Sequence, residues 1–140
     1  MIRNPIAVAT GMVSRQRYME NQQPEYTRIL GLVNKLPGNA RVYFLFEPRS
    51  YGAKIYVEPD GINSHLSHDI LLYKSPQKII SAWQQQGYTH VLLSTKGADF
   101  VFHSESSAPI DQEALLKQVE ALLIPVDESQ NGRSVLYKIP

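Results

Sequence analysis

Apolar and polar positions recur in several registers along this chain, and each change of register marks an element. From Glu25, the residues Tyr26, Ile29, Leu30 and Val33 fall at i, i+3, i+4 and i+7, the spacing that gathers side chains on one helical face. Pro24 suits the first turn of that helix, and Pro37-Gly38 supplies its stop. Arg41 to Glu47 is a short, nearly all apolar run of aromatic and β-branched residues closed by Pro48, which predicts a buried central strand. The connection from Arg49 to Tyr73 is punctuated by Gly52, Pro59 and Gly61; it predicts a short strand at Lys54 to Glu58 and a helix from Ser64 to Tyr73. Ser75 and Pro76 open the next helix, with Ile79, Ile80 and Trp83 on one face and Gly87 as the stop.

Tyr88 to Ser94 predicts another apolar strand, so strand, helical crossover and strand form a βαβ unit with its two strands parallel. Asp99 to His103 reads as a further short strand after a turn at Lys96-Gly97. Asp111 caps a helix carrying Leu115, Val119, Leu122 and Leu123 on one face. Ile124 to Glu128 and Ser134 to Ile139 predict two closing strands, paired as a hairpin through Gln130-Asn131-Gly132. The expected class is α/β: a small central mixed sheet containing a βαβ unit, helices packed on it, and a C-terminal β-hairpin. Residues 1–24 show no sustained period and form an irregular lead-in, which leaves 25–140 as one α/β domain.

Composition narrows the function classes. A chain of 140 residues suits one core. The 14 basic and 13 acidic residues nearly cancel and form no run of like charge, so the electrostatic footprint of a nucleic-acid binder is missing and no nucleic acid is expected as partner. The lack of cysteine excludes disulfides, thiol nucleophiles and thiolate metal sites. The longest pure apolar stretch, Val42 to Phe46, is far too short to cross a bilayer, and Met1 to Thr10 lacks the apolar core of a signal peptide.

Candidate chemistry gathers after the first strand. In open α/β sheets ligands bind beyond the carboxyl ends of the strands, which is where Glu47, Arg49 and Tyr51 fall. Glu47 and Arg49 are two apart, so in extended chain they face one side and could jointly grip a polar ligand; the competing reading is an internal ion pair that fixes the loop. Tyr51, Tyr56 and Tyr73 offer rigid faces for a sugar ring, whereas Trp83 at helical spacing is expected in the core.

His65, His68 and Asp69 lie within reach of one helical turn, but no distant third ligand accompanies them, so no metal and no cofactor are expected. Pro59-Asp60 followed by a basic residue is the start of a nuclease-like pattern, but Ser94-Thr95-Lys96 stands where the second acidic residue would be needed to hold magnesium. Phosphate-binding glycine loops and a nucleophile elbow are absent, and no catalytic residue is assigned.

Several stretches together resemble the C-terminal soluble domain that follows the last transmembrane helix of bacterial protein O-mannosyltransferase-like membrane glycosyltransferases. They are Gly11-x-x-Ser14-Arg15-x-x-Tyr18, Asn34-x-Leu36-Pro37, the run from Val42 to Tyr51, Gly87-Tyr88-Thr89-His90-Val91-Leu92, Pro125-Val126 and Leu136-Tyr137-Lys138. The chain departs from that pattern at Gly52-Ala53, where an aromatic or a cysteine is common.

The resemblance implies a parent enzyme that moves a sugar from a polyprenyl-phosphate carrier at the outer face of the membrane. Its catalytic acid lies in a loop between early transmembrane helices, with no counterpart here. It implies for this chain a non-catalytic, extracytoplasmic domain that follows a membrane segment outside this sequence, touches the membrane-embedded part of the same polypeptide, and docks a glycan or protein acceptor or caps the active site. The ligand surface expected on this basis is Glu47, Arg49, Tyr51 and Asp60. The rival reading is a free-standing cytoplasmic α/β interaction module; a third is a small hydrolase or nuclease using His65, His68 or Asp60.

Overall fold

The computed structural model describes residues 23–104 and 111–140. Among these, five helices and five strands alternate as α1 (Pro24–Val33), β1 (Arg41–Leu45), β2 (Tyr56–Glu58), α2 (His65–Tyr73), α3 (Pro76–Gln85), β3 (His90–Ser94), α4 (Thr95–Ser104), α5 (Asp111–Leu122), β4 (Ile124–Glu128) and β5 (Ser134–Lys138). The lead-in expected over 1–24 lies outside the described residues except for Gln23 and Pro24, and Pro24 already belongs to α1.

The strands form one mixed sheet in the order β2-β1-β3-β5-β4. β1 is parallel to both β2 and β3, β3 is antiparallel to β5, and β5 closes the hairpin with β4. β1 and β3 are therefore the parallel pair of the expected βαβ unit, with α2 and α3 in the connection from β2 to β3. Strand period decides which side chains face which layer. Val42, Phe44, Leu92 and Leu136 point to one face and pack with Tyr26, Ile29, Leu32 and Val33 of α1. Tyr43, Leu45, Val91, Leu93 and Tyr137 point to the other, where α2, α3, α4 and α5 bring Leu66, Ile79, Trp83, Ala98 and Val119. The result, among the described residues, is three layers with a single helix on one side of the sheet.

Local chemistry accounts for the helix ends. Ser75 is extended and its hydroxyl accepts the Lys78 N–H at 3.3 Å, with Pro76 preset for the first turn. Trp83 is fully buried, in line with its expected place in the core, and burial of a side chain of this size contributes up to about 3 kcal/mol. Its indole N–H is satisfied: Asp69 Oδ2 accepts from Trp83 Nε1 at 3.0 Å and from the Tyr43 hydroxyl at 2.8 Å, which ties β1, α2 and α3 together. Burial and the neighbouring Asp69 carboxylate push the Tyr43 phenol well above its ordinary range.

One element differs from expectation. The residues Asp99 to His103, expected as a strand, lie within helix α4. Ala98, Val101 and Phe102, at i, i+3 and i+4, pack on the core, while Phe100 is turned outward. The sheet position beside β3 is taken by β5, so this segment covers the sheet instead of joining it. On the outer edge, β4 carries Pro125 and a register shift between Pro125 and Asp127, and all five of its residues are exposed.

Candidate functional site

The chain leaves β1 for β2 on one side, and returns to place β3 on the other side of β1. The segments after β1 and β3 thus diverge, the arrangement that opens a crevice at the carboxyl edge of α/β sheets. A cavity of about 560 Å³ lies there. It is lined by the start of α1, by Phe46 to Arg49, by Asn63, and by Ser94, Lys96, Gly97, Phe100 and Ser134.

Backbone strain sits at its floor. Phe46, directly after β1, has φ 63°, a left-handed conformation that costs a non-glycine residue about 1–3 kcal/mol. It is held by Asp60, whose Oδ2 accepts the Phe46 N–H at 2.9 Å. The other Asp60 oxygen accepts the N–H groups of Ser64 and His65 at 2.8 and 3.1 Å, at the start of α2. The Asp60 carboxylate is fully buried and does not line the cavity. Its negative charge faces the N-terminal end of a helix, where exposed amides favour an anion. α4 approaches equally closely from the β3 side: a Cβ on Gly97 would overlap the Phe46 carbonyl oxygen, so only glycine fits there.

Glu47 and Arg49 do line the cavity, but they face each other. The Glu47 carboxylate, only 2% exposed, accepts Arg49 Nε at 2.7 Å, Arg49 Nη2 at 2.9 Å and the Arg49 backbone N–H at 2.9 Å. This two-pronged pair matches the internal ion pair weighed as the alternative to ligand grip. The Glu47 hydrogen bonds hold the Arg49 guanidinium charged, raising its pKa further. The guanidinium also lies 4.8 Å over the ring of Tyr26, on α1. Tyr51 is outside the cavity lining; its ring packs at 4.7 Å on Tyr26, whose hydroxyl donates to the Tyr51 carbonyl, while the Tyr51 hydroxyl donates to Gln23. Of the four expected ligand residues, the structure therefore brings two to the crevice and uses the other two to brace it.

The tyrosines considered as sugar platforms have separate engagements. Tyr56 lies under the Arg41 guanidinium at 4.0 Å and donates to Glu58 at 2.9 Å, and Tyr73 accepts from Gln86 at 3.4 Å. Of the histidines, His65 stacks on Tyr43 at 4.4 Å and donates from Nδ1 to the Phe44 carbonyl at 2.8 Å. His68 is exposed, with Nδ1 3.8 Å from Asp69 Oδ1. Among the described residues no three His, Cys, Asp or Glu side chains are placed to hold a metal.

Sequence reasoning did not find Ser94, Lys96, Ser134, Asn63 or Glu25, which line the same cavity. Ser94 Oγ accepts the Gly97 N–H at 3.2 Å and so caps α4. The signal for this was present: a serine closing an apolar strand, with a glycine three residues later, marks a strand that turns straight into a helix N-terminus.

No family model, curated protein or solved structure matches the chain. Among the described residues no helix is long and apolar enough to cross a membrane.

Proposed function

We propose that this chain is a non-catalytic, extracytoplasmic binding domain of a polyprenyl-phosphate-sugar-dependent membrane glycosyltransferase, and that the crevice between β1 and β3 is where it engages its ligand. The resemblance, spread over nearly the whole chain, supports the parentage. The observation that carries the binding role is the division of labour at the carboxyl edge of the sheet. The buried carboxylates of Glu47 and Asp60 spend their oxygens on internal donors, and the strained Phe46 is pinned from two sides. A group locked in this way has little freedom to exchange protons or attack a substrate, yet it fixes the shape of a cavity. In this reading the domain contributes recognition, and bond making belongs to the membrane-embedded part of the polypeptide.

The test has two arms. The reading frame upstream of this chain is expected to encode several transmembrane helices, and the domain in its parent protein is expected to be cut by protease added to spheroplasts but protected in inverted vesicles. A frame free of such helices, or protection in spheroplasts, overturns the parentage and leaves the rival reading of a cytoplasmic interaction module.

A further inference from the structure

Of the six asparagines in the chain, Asn131 alone precedes a glycine. That pairing carries chemistry of its own. A backbone amide nitrogen can attack the side-chain carbonyl carbon of the residue before it, and glycine, without a Cβ, obstructs this approach least. The bond that forms runs from Gly132 N to Asn131 Cγ and closes a five-membered succinimide; the bond that breaks is Cγ–Nδ2. The Gly132 amide proton passes to hydroxide, and Nδ2 leaves as ammonia after taking a proton from water. A water molecule then opens the ring to aspartate or isoaspartate, so the net exchange is water in and ammonia out. Asn131 and Gly132 are both exposed in the turn between β4 and β5, within reach of water and hydroxide.

The fold holds each participating group away from reaction. The attacking nitrogen is tied up, because the Gly132 N–H donates to the Ser129 carbonyl at 2.8 Å. Asn131 Oδ1 accepts from Ser129 Oγ at 2.7 Å and from the Arg133 N–H at 3.2 Å. Asn131 Nδ2, the leaving group, donates to Glu25 Oε1 in the first turn of α1. The side-chain amide therefore cannot turn toward Gly132 until this clasp opens. Ser129 is only 5% exposed and its Oγ also accepts the Ser134 N–H at 3.1 Å, which anchors the inner half of the clasp in the hairpin. The outer half, Asn131 to Glu25, lies at the surface and is the half that opens first. We infer that Asn131 is a site of spontaneous deamidation, gated by its clasp to Glu25, and that the change runs one way. A carboxylate at position 131 has no N–H to offer and meets Glu25 as a like charge, so the clasp cannot reclose. Glu25 lines the crevice, and the first turn of α1 thereby loses its tie to the hairpin at the crevice wall. The inference holds whether or not the crevice takes a ligand.

The experiment incubates the 140-residue chain in mildly alkaline buffer and follows each asparagine by peptide mass spectrometry, beside a synthetic peptide of residues 129–134. Asn131 is expected to convert before any other asparagine, and at least about tenfold more slowly in the folded chain than in the peptide, because attack waits for local opening. Glu25→Ala removes a surface acceptor and no core contact, and is expected to speed conversion in the chain about fivefold. Asn131→Asp reproduces the aspartate product and is expected to shift the backbone amide resonances of Glu25 and Tyr26. Another asparagine converting first overturns the site, as does an Asn131 still intact after about a hundred peptide half-lives. Equal rates in chain and peptide overturn the clasp as a gate, and so does an unchanged rate in Glu25→Ala. Amide resonances of α1 in Asn131→Asp that match the parent chain overturn the coupling to the crevice wall.

Discussion

Two neighbouring regions at the carboxyl edge of the sheet treat their polar groups in opposite ways. Around Phe46, the side chains of Asp60, Glu47 and Arg49 satisfy one another and the backbone beside them. Around the start of α4, Lys96 enters no ion pair among the described residues, and Glu25 Oε2 and Asn63 Oδ1 are buried without a hydrogen-bond partner. The difference teaches that charge is a poor guide to which polar groups are left unsatisfied. The best-connected carboxylates in this molecule act as mortar, and the groups with unfilled valences are scattered singly on elements distant in sequence.

The comparison breaks hardest at Asp60. Asp60→Ala strips an acceptor from three backbone donors and frees a strained Phe46, and is expected to destabilise the chain by about 3–5 kcal/mol in denaturant unfolding. Gly97→Ala follows, at about 2–3 kcal/mol, because the new methyl group meets backbone and cannot be absorbed by a rotamer change. Glu47→Gln keeps the shape of the loop but loses the charged fork to Arg49, and is expected to cost about 1.5–3 kcal/mol. By contrast Lys96→Gln, on the unsatisfied side, is expected to stay within about 0.5 kcal/mol of the parent chain. A large loss from Lys96→Gln, or a negligible one from Asp60→Ala, would erase the distinction between the two regions.

A smaller effect comes with pH. Burial, and then the charge of Lys138, lower the pKa of His90, so the folded chain favours neutral imidazole. The unfolded chain protonates near pH 6.5 and therefore binds more protons below that value, so stability falls as pH drops from there toward the folded pKa. His90→Gln is expected to remove this component from the acid limb of the unfolding curve. At the alkaline end the sign reverses its side: burial, with a lesser contribution from Glu58, pushes the Tyr88 phenol to about 12, so its contribution is whole below pH 10 and is lost as pH rises through that range. Tyr88→Phe is expected to flatten that loss in titrations from pH 9 to 12.

The sheet was legible wherever apolar runs were short and bounded. Val42 to Leu45 and Val91 to Leu93 are buried from both sides, and a continuous apolar stretch between glycine and proline signals can be little else. The closing hairpin followed from Asn131-Gly132, where Gly132 takes φ 69°. Helix α4 was misread because Phe100, Val101 and Phe102 favour strands intrinsically, and propensity yielded to the place left open on the face of the sheet.

The site was half legible. Position after a strand predicted Glu47 and Arg49 at the crevice, since topology alone puts them there. It could not predict that Asp60 would turn inward to accept the Phe46 amide, or that Ser134 would arrive from a strand more than eighty residues later; the distance from Phe46 to Ser134 is bridged by the pairing of β1 with β3 and of β3 with β5. Orphaned atoms are a property of the assembled fold, and no spacing in the chain announces them.

The exposed outer strand has one more consequence. At β4, Pro125 offers no N–H, and the register shift beside it bends the ladder away from a straight template, although Ile124 and Val126 present apolar side chains. An incoming strand from another molecule would lack the N–H at Pro125 and meet a ladder bent beside it, so this greasy margin resists zippering into filaments. At the far margin, the three residues of β2 give too little length for a neighbour to hold.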